Sequence, residues 1–353
     1  LLVDLSLIWF QRVAKQWDSG EGQAGTAQRP ERVVPEQELK MRLTSRSGLL
    51  AGIAASLVAQ AARAQDTLEV VGRPVDGETG FQFAATELAR DLQNLDHMLL
   101  VIIAAITVFV TALLAIVVVR FNRRANPNSA SFTHNSPLEV GWTVVPILIL
   151  VFIGAYSLPV LFKQQEIPPG DITIKVTGYQ WYWGYEYVDE GIEFSSFLVD
   201  GSTDVEALGD DQPMGQPQIL DDIAVMKLEA LGYTRDDFLL ATDTAVVIPV
   251  DKTIVMQVTG ADVIHSWTIP AFGVKQDAVP GRIGQLWFKA EREGIYYGQC
   301  SELCGKSHAY MPITVKVVSE AAYAQWLESA KAGDPQLSSL AVPAAELKVA
   351  AAD

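Results

Sequence analysis

The sequence predicts an α+β membrane protein: an N-terminal transmembrane hairpin of two helices, followed by an antiparallel β-sandwich or barrel. Three observations predict it. Two long uncharged runs, Met98 to Val119 and Val140 to Phe162, stand close together. From about Asp171 the hydrophobic period changes from helical to two. Residues 1–163 carry 14 acidic and 14 basic side chains and residues 164–353 carry 28 and 12, so the whole net charge of −16 falls in the second part. A strongly acidic domain stays soluble and attracts basic partners. It excludes nucleic acid as a ligand, which needs the opposite sign.

Residues 1–40 are mixed and lack strong periodicity. They read as an extension upstream of the natural start. From Met41 the pattern changes. Arg42 and Arg46 make a basic start, Gly48 to Ala62 is small and apolar, and Ala62-Arg63-Ala64 gives a small-x-small cleavage site. Residues 41–64 therefore read as a secretory signal peptide, with the mature chain beginning at Gln65. Residues 65–97 form an N-terminal periplasmic segment.

The uncharged runs of 22 and 23 residues are each long enough to cross about 30 Å of hydrocarbon. They place a helical hairpin at 98–163. The loop between them carries Arg120, Arg123 and Arg124 and no acid before Glu139, which puts it on the cytoplasmic side. Pro146 and Pro159 fall inside the second run, as membrane helices tolerate when neighbours satisfy the backbone. His97 and His134 lie near the helix ends and read as interfacial groups, not ligands.

A soluble domain is expected over 164–332. Ile172, Ile174 and Val176 alternate with Thr173, Lys175 and Thr177, as in a half-buried strand. Further strand-like runs fall at 245–250, 253–258, 263–269, 285–289 and 313–318. Ser319 is placed to cap a closing helix over 320–331. In the aromatic run 180–187, alternation puts Trp181, Trp183 and Tyr185 on one strand face, with Tyr182, Glu186 and Tyr187 partly on the other. Between these strands, 197–242 is an acidic insertion. From Asp200 to Asp237 it has ten acids against Lys227 and Arg235, the composition of a solvated excursion or of a docking field for a basic partner. The Ala-, Pro- and Ser-rich tail 333–353 is expected to be disordered.

Residues 300–311 read Cys-Ser-Glu-Leu-Cys-Gly-Lys-Ser-His-Ala-Tyr-Met and hold the only two cysteines of the chain. Such a pair in an exported protein also suits a disulfide, and zinc accepts thiolate and imidazole donors. A helix presenting Cys300, Cys304 and His308 on one face is interrupted by Gly305 and stopped by Pro312. With Met311 in the run and His265 upstream, the set is soft and favours copper. A mononuclear site needs one Cys, two His and a Met. The surplus thiolate points to two metals.

The run Cys300-Ser301-Glu302-Leu303-Cys304-Gly305, with His308 and Met311 behind it, resembles the dinuclear copper (CuA) loop of cytochrome c oxidase subunit II. Its place just before the last strand resembles the cupredoxin fold. The resemblance extends over residues 66–330, through both spans and the aromatic strand. It implies Cys300 and Cys304 as bridging thiolates, His265 and His308 as terminal ligands, Met311 on one copper and the backbone carbonyl of Glu302 on the other. It implies that the Glu302 side chain helps bind magnesium at the boundary with subunit I. Trp181 matches the family's electron-uptake tryptophan, Glu139 its proton-path acid, and Glu186, Asp189, Asp243 and Asp262 its acidic docking rim. The implied function is electron transfer from a separate, basic cytochrome c through copper to haem in subunit I, where oxygen is reduced with proton pumping. The implied location is a bacterial inner membrane with the copper domain in the periplasm. No Cys-x-x-Cys-His is present for a fused haem domain. A periplasmic copper carrier or chaperone is the alternative class, but it needs neither the two spans nor Glu139. A quinol oxidase subunit would lack the copper ligands, and nitrous oxide reductase would need a large additional domain.

Overall fold

A computed structural model describes residues 68–128 and 130–336. The upstream extension, the signal peptide and the tail from residue 337 lie outside the described residues.

The two uncharged runs are helices: α1, Glu87–Arg120, and α2, Ser136–Gln165. At 1.5 Å per residue they measure about 50 and 45 Å, more than a bilayer core requires. Thr86 caps α1 by accepting from the Ala89 N–H at 3.0 Å, and Asn135 caps α2 by accepting from the Leu138 N–H at 3.2 Å. Their apolar central windows bury none of their residues, as lipid-facing helices should. α1 begins well before its apolar run, and this polar first part fastens the hairpin to the β-domain. There the Thr86 hydroxyl donates to the Phe272 carbonyl at 2.8 Å, and Arg90 meets Glu291 through two bonds of 2.8 Å. At the end of α2, Lys163 reaches Glu87 and Asp91 of α1, while its carbonyl accepts from the Trp287 indole at 3.1 Å.

The β-domain is a sandwich. Its first strand is β1, Val70–Gly72. Next come β2, Ile172–Tyr179, β3, Tyr182–Tyr187, and β4, Ile192–Ser196. Beyond a short helix α3, Asp222–Ala230, lie β5, Val246–Pro249, β6, Thr253–Gly260, β7, His265–Ile269, and β8, Val274–Ala278. β9, Gly284–Lys289, β10, Gly294–Gln299, and β11, Pro312–Val318, complete the strands, and α4, Glu320–Lys331, closes the domain. One sheet runs β1-β10-β11-β5, the other β4-β3-β2-β6-β9, and β7-β8 is a separate hairpin. The sheets are mixed and not wholly antiparallel: β1 with β10, β11 with β5, and β2 with β6 are parallel pairs. These pairs join strands distant in sequence, which a hairpin-by-hairpin reading does not reach.

The core between the sheets is aromatic, with Trp183, Tyr185, Tyr187, Trp267, Phe288 and Trp326 all fully or almost fully buried. Two expectations are corrected here. Trp181 is not on a strand face; it sits in the turn between β2 and β3. Tyr187 points inward with Trp183 and Tyr185, because β3 starts at Tyr182 and its odd-numbered residues face the core. The insertion is also more than a solvated excursion. It has its own cluster of Val199, Val205, Leu228, Leu231 and Tyr233, closed from the sheet side by Ile295 and Tyr297.

Candidate metal centre

Hairpin geometry makes the site. β10 and β11 pair Gln299 with Pro312, so the loop 300–311 leaves and returns at adjacent positions. The Cys300 N–H donates to the Met311 carbonyl at 3.3 Å, and the Ser301 N–H donates to the Ser266 carbonyl at 3.0 Å. The second bond draws the loop onto the start of β7, whose first residue is His265.

Five side-chain donors meet there. Cys300 Sγ lies 3.8 Å from Cys304 Sγ and 3.9 Å from His265 Nδ1. Cys304 Sγ lies 3.6 Å from His308 Nδ1 and 3.5 Å from Met311 Sδ. The Glu302 carbonyl is 3.3 Å from Cys300 Sγ. Both cysteines are free. Two thiolates bonded to one ion at about 2.3 Å in a tetrahedral arrangement stand roughly 3.8 Å apart, so this spacing fits a shared metal. His265, Cys300, Cys304 and Met311 are buried, which keeps water off the donors.

The surroundings fix the ligands. Asp262 Oδ1 is 2.9 Å from His265 Nε2, the outer contact that orients a ligating imidazole and sets its tautomer. Gly178 lies against the His265 ring, and a Cβ there would come within 2.8 Å of it. The Trp183 indole donates to the Met311 carbonyl at 3.3 Å. Burial disfavours the Cys300 thiolate, yet His265, the backbone at Glu302 and Ser266, and His308 bring that thiol down to about 7. Burial and then the charge of Cys300 push Cys304 up to about 12. A cation between the two sulfurs would let both ionise.

Trp181 is beside this loop. Its indole N–H donates to the Cys304 carbonyl at 3.3 Å, and the Gln180 side-chain amide donates to the same carbonyl at 2.8 Å. Lys306 Nζ stands 5.4 Å from the Trp181 ring centre. Gly305, at φ +127°, takes a conformation that favours glycine, and a Cβ there would meet the Trp181 ring at 3.0 Å. Gly178, Gln180 and Lys306 carried no signal in the sequence beyond their nearness to Trp181 and the cysteines.

The four rim acids do not form one exposed set. Asp189 is exposed, and Glu186 is paired with Lys175 at 2.8 Å. Both lie toward the far end of β3, about 16 Å or more along the chain direction from Trp181. Asp262 is given over to His265, to its neighbour Val263 N–H at 2.7 Å and to the Gln180 N–H at 2.8 Å. Asp243 is buried, its carboxylate accepts from the Phe197 and Thr244 N–H groups at 2.8 and 2.6 Å, and it lines the groove beside Trp181. The insertion also comes up to Trp181. A groove of about 570 Å³ beside that indole is lined by Phe197, Asp200, Asp204, Pro217 and Tyr310, among others. Glu302 and Leu303 stand exposed at the apex of the loop. Glu139 accepts from the Asn135 N–H at 3.2 Å and so helps cap its own helix. His97 lies within α1 and His134 just before α2; neither belongs to the donor cluster.

Comparison with known proteins gives concordant matches. The family model for the periplasmic domain of cytochrome c oxidase subunit II matches residues 172–318, and that for its transmembrane domain matches residues 74–160. Cytochrome c oxidase subunit 2 of Cereibacter sphaeroides is 62% identical over 298 residues, covering 84% of this chain and 95% of that protein. The probable cytochrome c oxidase subunit 2 of Rickettsia bellii is 40% identical over 257 residues, 72% of this chain and 85% of that one. Among solved structures, the periplasmic domain of subunit II of cytochrome oxidase from Bradyrhizobium japonicum is 45% identical, covers 47% of this chain and 98% of that one, and has a TM-score of 0.36.

Proposed function

The chain belongs to the cytochrome c oxidase subunit II family, and from that premise we propose how its residues carry electrons into the oxidase. It is a membrane-bound subunit of the haem–copper oxidase, and its part is electron transfer at copper toward the subunit that reduces oxygen. The observation that carries the residue assignment is the convergence of Cys300, Cys304, His265, His308 and Met311 at one loop whose three sulfur donors are buried.

Cys300 and Cys304 would hold both copper ions, His265 and His308 would each serve as a terminal ligand, Met311 would complete one ion and the Glu302 carbonyl the other. When bound, the pair of ions supplies a one-electron centre in which the charge is shared. The protein's own contribution is positional. Burial excludes water, Asp262 orients His265, and Trp183 holds the Met311 backbone. The Glu302 carboxylate, exposed at the loop apex, is free to join a magnesium ion at the boundary with subunit I.

Cytochrome c is the donor, and Trp181 is the point of uptake. Its indole lies on the Cys304 carbonyl, and an acidic surface surrounds it on the insertion side. Glu186 and Asp189, farther along β3, extend the acidic surface, while Asp262 serves His265 and the Gln180 N–H. Glu139, at the membrane edge, opens the proton path into subunit I; an ionisable group at that depth is a functional candidate. The arginine-rich loop 120–124 faces the cytoplasm of a bacterium, which leaves the copper domain in the periplasm. The hairpin comprises α1 and α2, the copper domain includes β1 as well as the strands and helices after α2, and residues 41–64 are read as a signal peptide.

Electron paramagnetic resonance and metal analysis of the purified oxidase test the centre. The parent should show two coppers with a delocalised signal in this subunit. Cys300→Ser should lose that signal and keep the β-rich circular dichroism. A variant that keeps two coppers and an unchanged spectrum overturns the bridging assignment.

A further inference from the structure

Gln180 joins the Trp181 turn to the metal loop at two points. Its side-chain amide donates to the Cys304 carbonyl at 2.8 Å, next to the 3.3 Å bond that the Trp181 indole makes to the same oxygen. Its backbone N–H donates at 2.8 Å to Asp262 Oδ2, while Asp262 Oδ1 lies 2.9 Å from His265 Nε2. One residue thus contacts the Cys304 side of the centre directly and the His265 side through one carboxylate. The indole bond alone is weakly restraining: it is long for an N–H···O bond and shares its acceptor. Gln180 supplies the shorter bond to that acceptor.

We propose that Gln180 is a positioning residue for electron uptake, holding the Trp181 indole on the Cys304 carbonyl by clamping that carbonyl and Asp262 at once. The proposal rests on Trp181 being the point of uptake. The step it serves forms and breaks no bond: one electron leaves the reduced cytochrome c, which is oxidised, and the subunit's metal centre is reduced by one electron. Gln180 touches neither donor nor metal in this role. It fixes the distance between the outer indole and the inner loop, and small displacements at a reacting contact cost rate steeply.

Substitution separates this role from docking. Gln180→Glu keeps the side-chain shape but replaces the amide donor with a carboxylate, which repels the Cys304 carbonyl. Gln180→Ala removes the group without adding charge. Both are placed in the assembled oxidase and compared with the parent and with Trp181→Gln, by stopped-flow reduction with ferrous cytochrome c over a range of donor concentrations. The saturating uptake rate should fall at least about fivefold in both Gln180 variants, the ratio expected from loss of one net hydrogen bond. Copper content and the two-copper resonance signal should stay those of the parent. Backbone amide exchange at residues 179–182 and 305 should speed up, a readout independent of turnover. A residue acting only in docking would behave differently: the added charge of Gln180→Glu would strengthen association with a basic donor and leave the saturating rate alone.

The proposal is overturned if the saturating rate in Gln180→Glu and Gln180→Ala equals the parent's. It is also overturned if both variants lose copper, since Gln180 would then hold up the loop itself. The comparison variant keeps the two readings apart. If Trp181→Gln is slow and the Gln180 variants are fast, only the positioning role fails. If Trp181→Gln is as fast as the parent, the uptake route itself is wrong and the positioning role falls with it.

Discussion

Asp243 keeps 9% of its surface exposed, and its carboxylate serves two backbone N–H groups. The bridge between Leu198 and Thr242 carries it under the insertion, where it lines the groove beside Trp181. Burial pushes its carboxyl up to about 6, against the ordinary 3.8, although the Phe197 and Thr244 N–H groups pull the other way. The folded state therefore binds the proton more tightly than the unfolded chain does. Stability from this group is fully present below about pH 4, is lost as pH rises through about 6, and stays lower above that. Asp243→Asn keeps an oxygen for both N–H groups and removes the buried charge. It should flatten that pH dependence and stabilise the chain at pH 7 by roughly 1–3 kcal/mol. Unfolding of the detergent-solubilised chain measured from pH 4 to 8 checks this; a variant less stable than the parent at pH 7 would show that the carboxylate is needed ionised. The metal donors are the opposite case. Their convergence was legible because sulfur and imidazole at those spacings have few other uses. The residues that support them, Gly178 and Gln180, have uses everywhere, and only the fold places them on His265 and Cys304.

Among elements, β10 shows why a strand can escape a periodicity argument. Five of its six residues are buried in an unbroken row, so no alternation is visible. Tyr296 enters the main core while Ile295 and Tyr297 enter the cluster beneath the insertion. The insertion thus hides a strand as well as covering it. Its acidic composition suggested solvent, but Lys227 sits inside it, fully buried, and donates to the Gly201 and Thr203 carbonyls at 2.9 and 2.6 Å. A buried ammonium with these partners pins the loop 201–203 to α3. Lys227→Met fills similar volume but leaves both carbonyls without that donor, a loss of roughly 1–3 kcal/mol. The effect should be local: faster amide exchange and proteolysis within 197–242, with the copper signal unchanged. Uniform loosening of the whole β-domain would mean that the insertion is an integral part of the main core. The two apolar helices of the hairpin, by contrast, were legible, because two long uncharged runs of residues leave no soluble alternative that hides them both. What the sequence withheld was the polar first part of α1, whose contacts to Phe272 and Glu291 fasten that hairpin to the β-domain.

For the molecule as a whole, the division of charge is the property with the widest consequence. Residues 1–163 are balanced and residues 164–353 carry the entire −16, so a field of one sign surrounds the domain that receives electrons. A basic donor should be steered into that field, and its association should weaken as salt shortens the screening length to about 8 Å at physiological strength. The structure sharpens which acids matter. Asp262 is committed to His265; Asp204 and the buried Asp243 both border the groove that contains Trp181, and Glu206 and Asp210 stand with Asp204 around an adjoining one. Neutralising Asp204, Glu206 and Asp210 together should lower association with cytochrome c by about 0.5–1 kcal/mol for each charge at low salt, and by much less at high salt. Asp243→Asn should leave association unchanged. Trp181→Gln should act on the other quantity, leaving affinity nearly intact and slowing transfer at saturating donor, because the indole bridges from the surface to the Cys304 carbonyl. Stopped-flow reduction of the assembled oxidase across a salt series measures both quantities in one experiment. Rates that ignore salt, or a triple variant that binds as the parent does, would move the donor away from the insertion and leave its acids a matter of solubility alone.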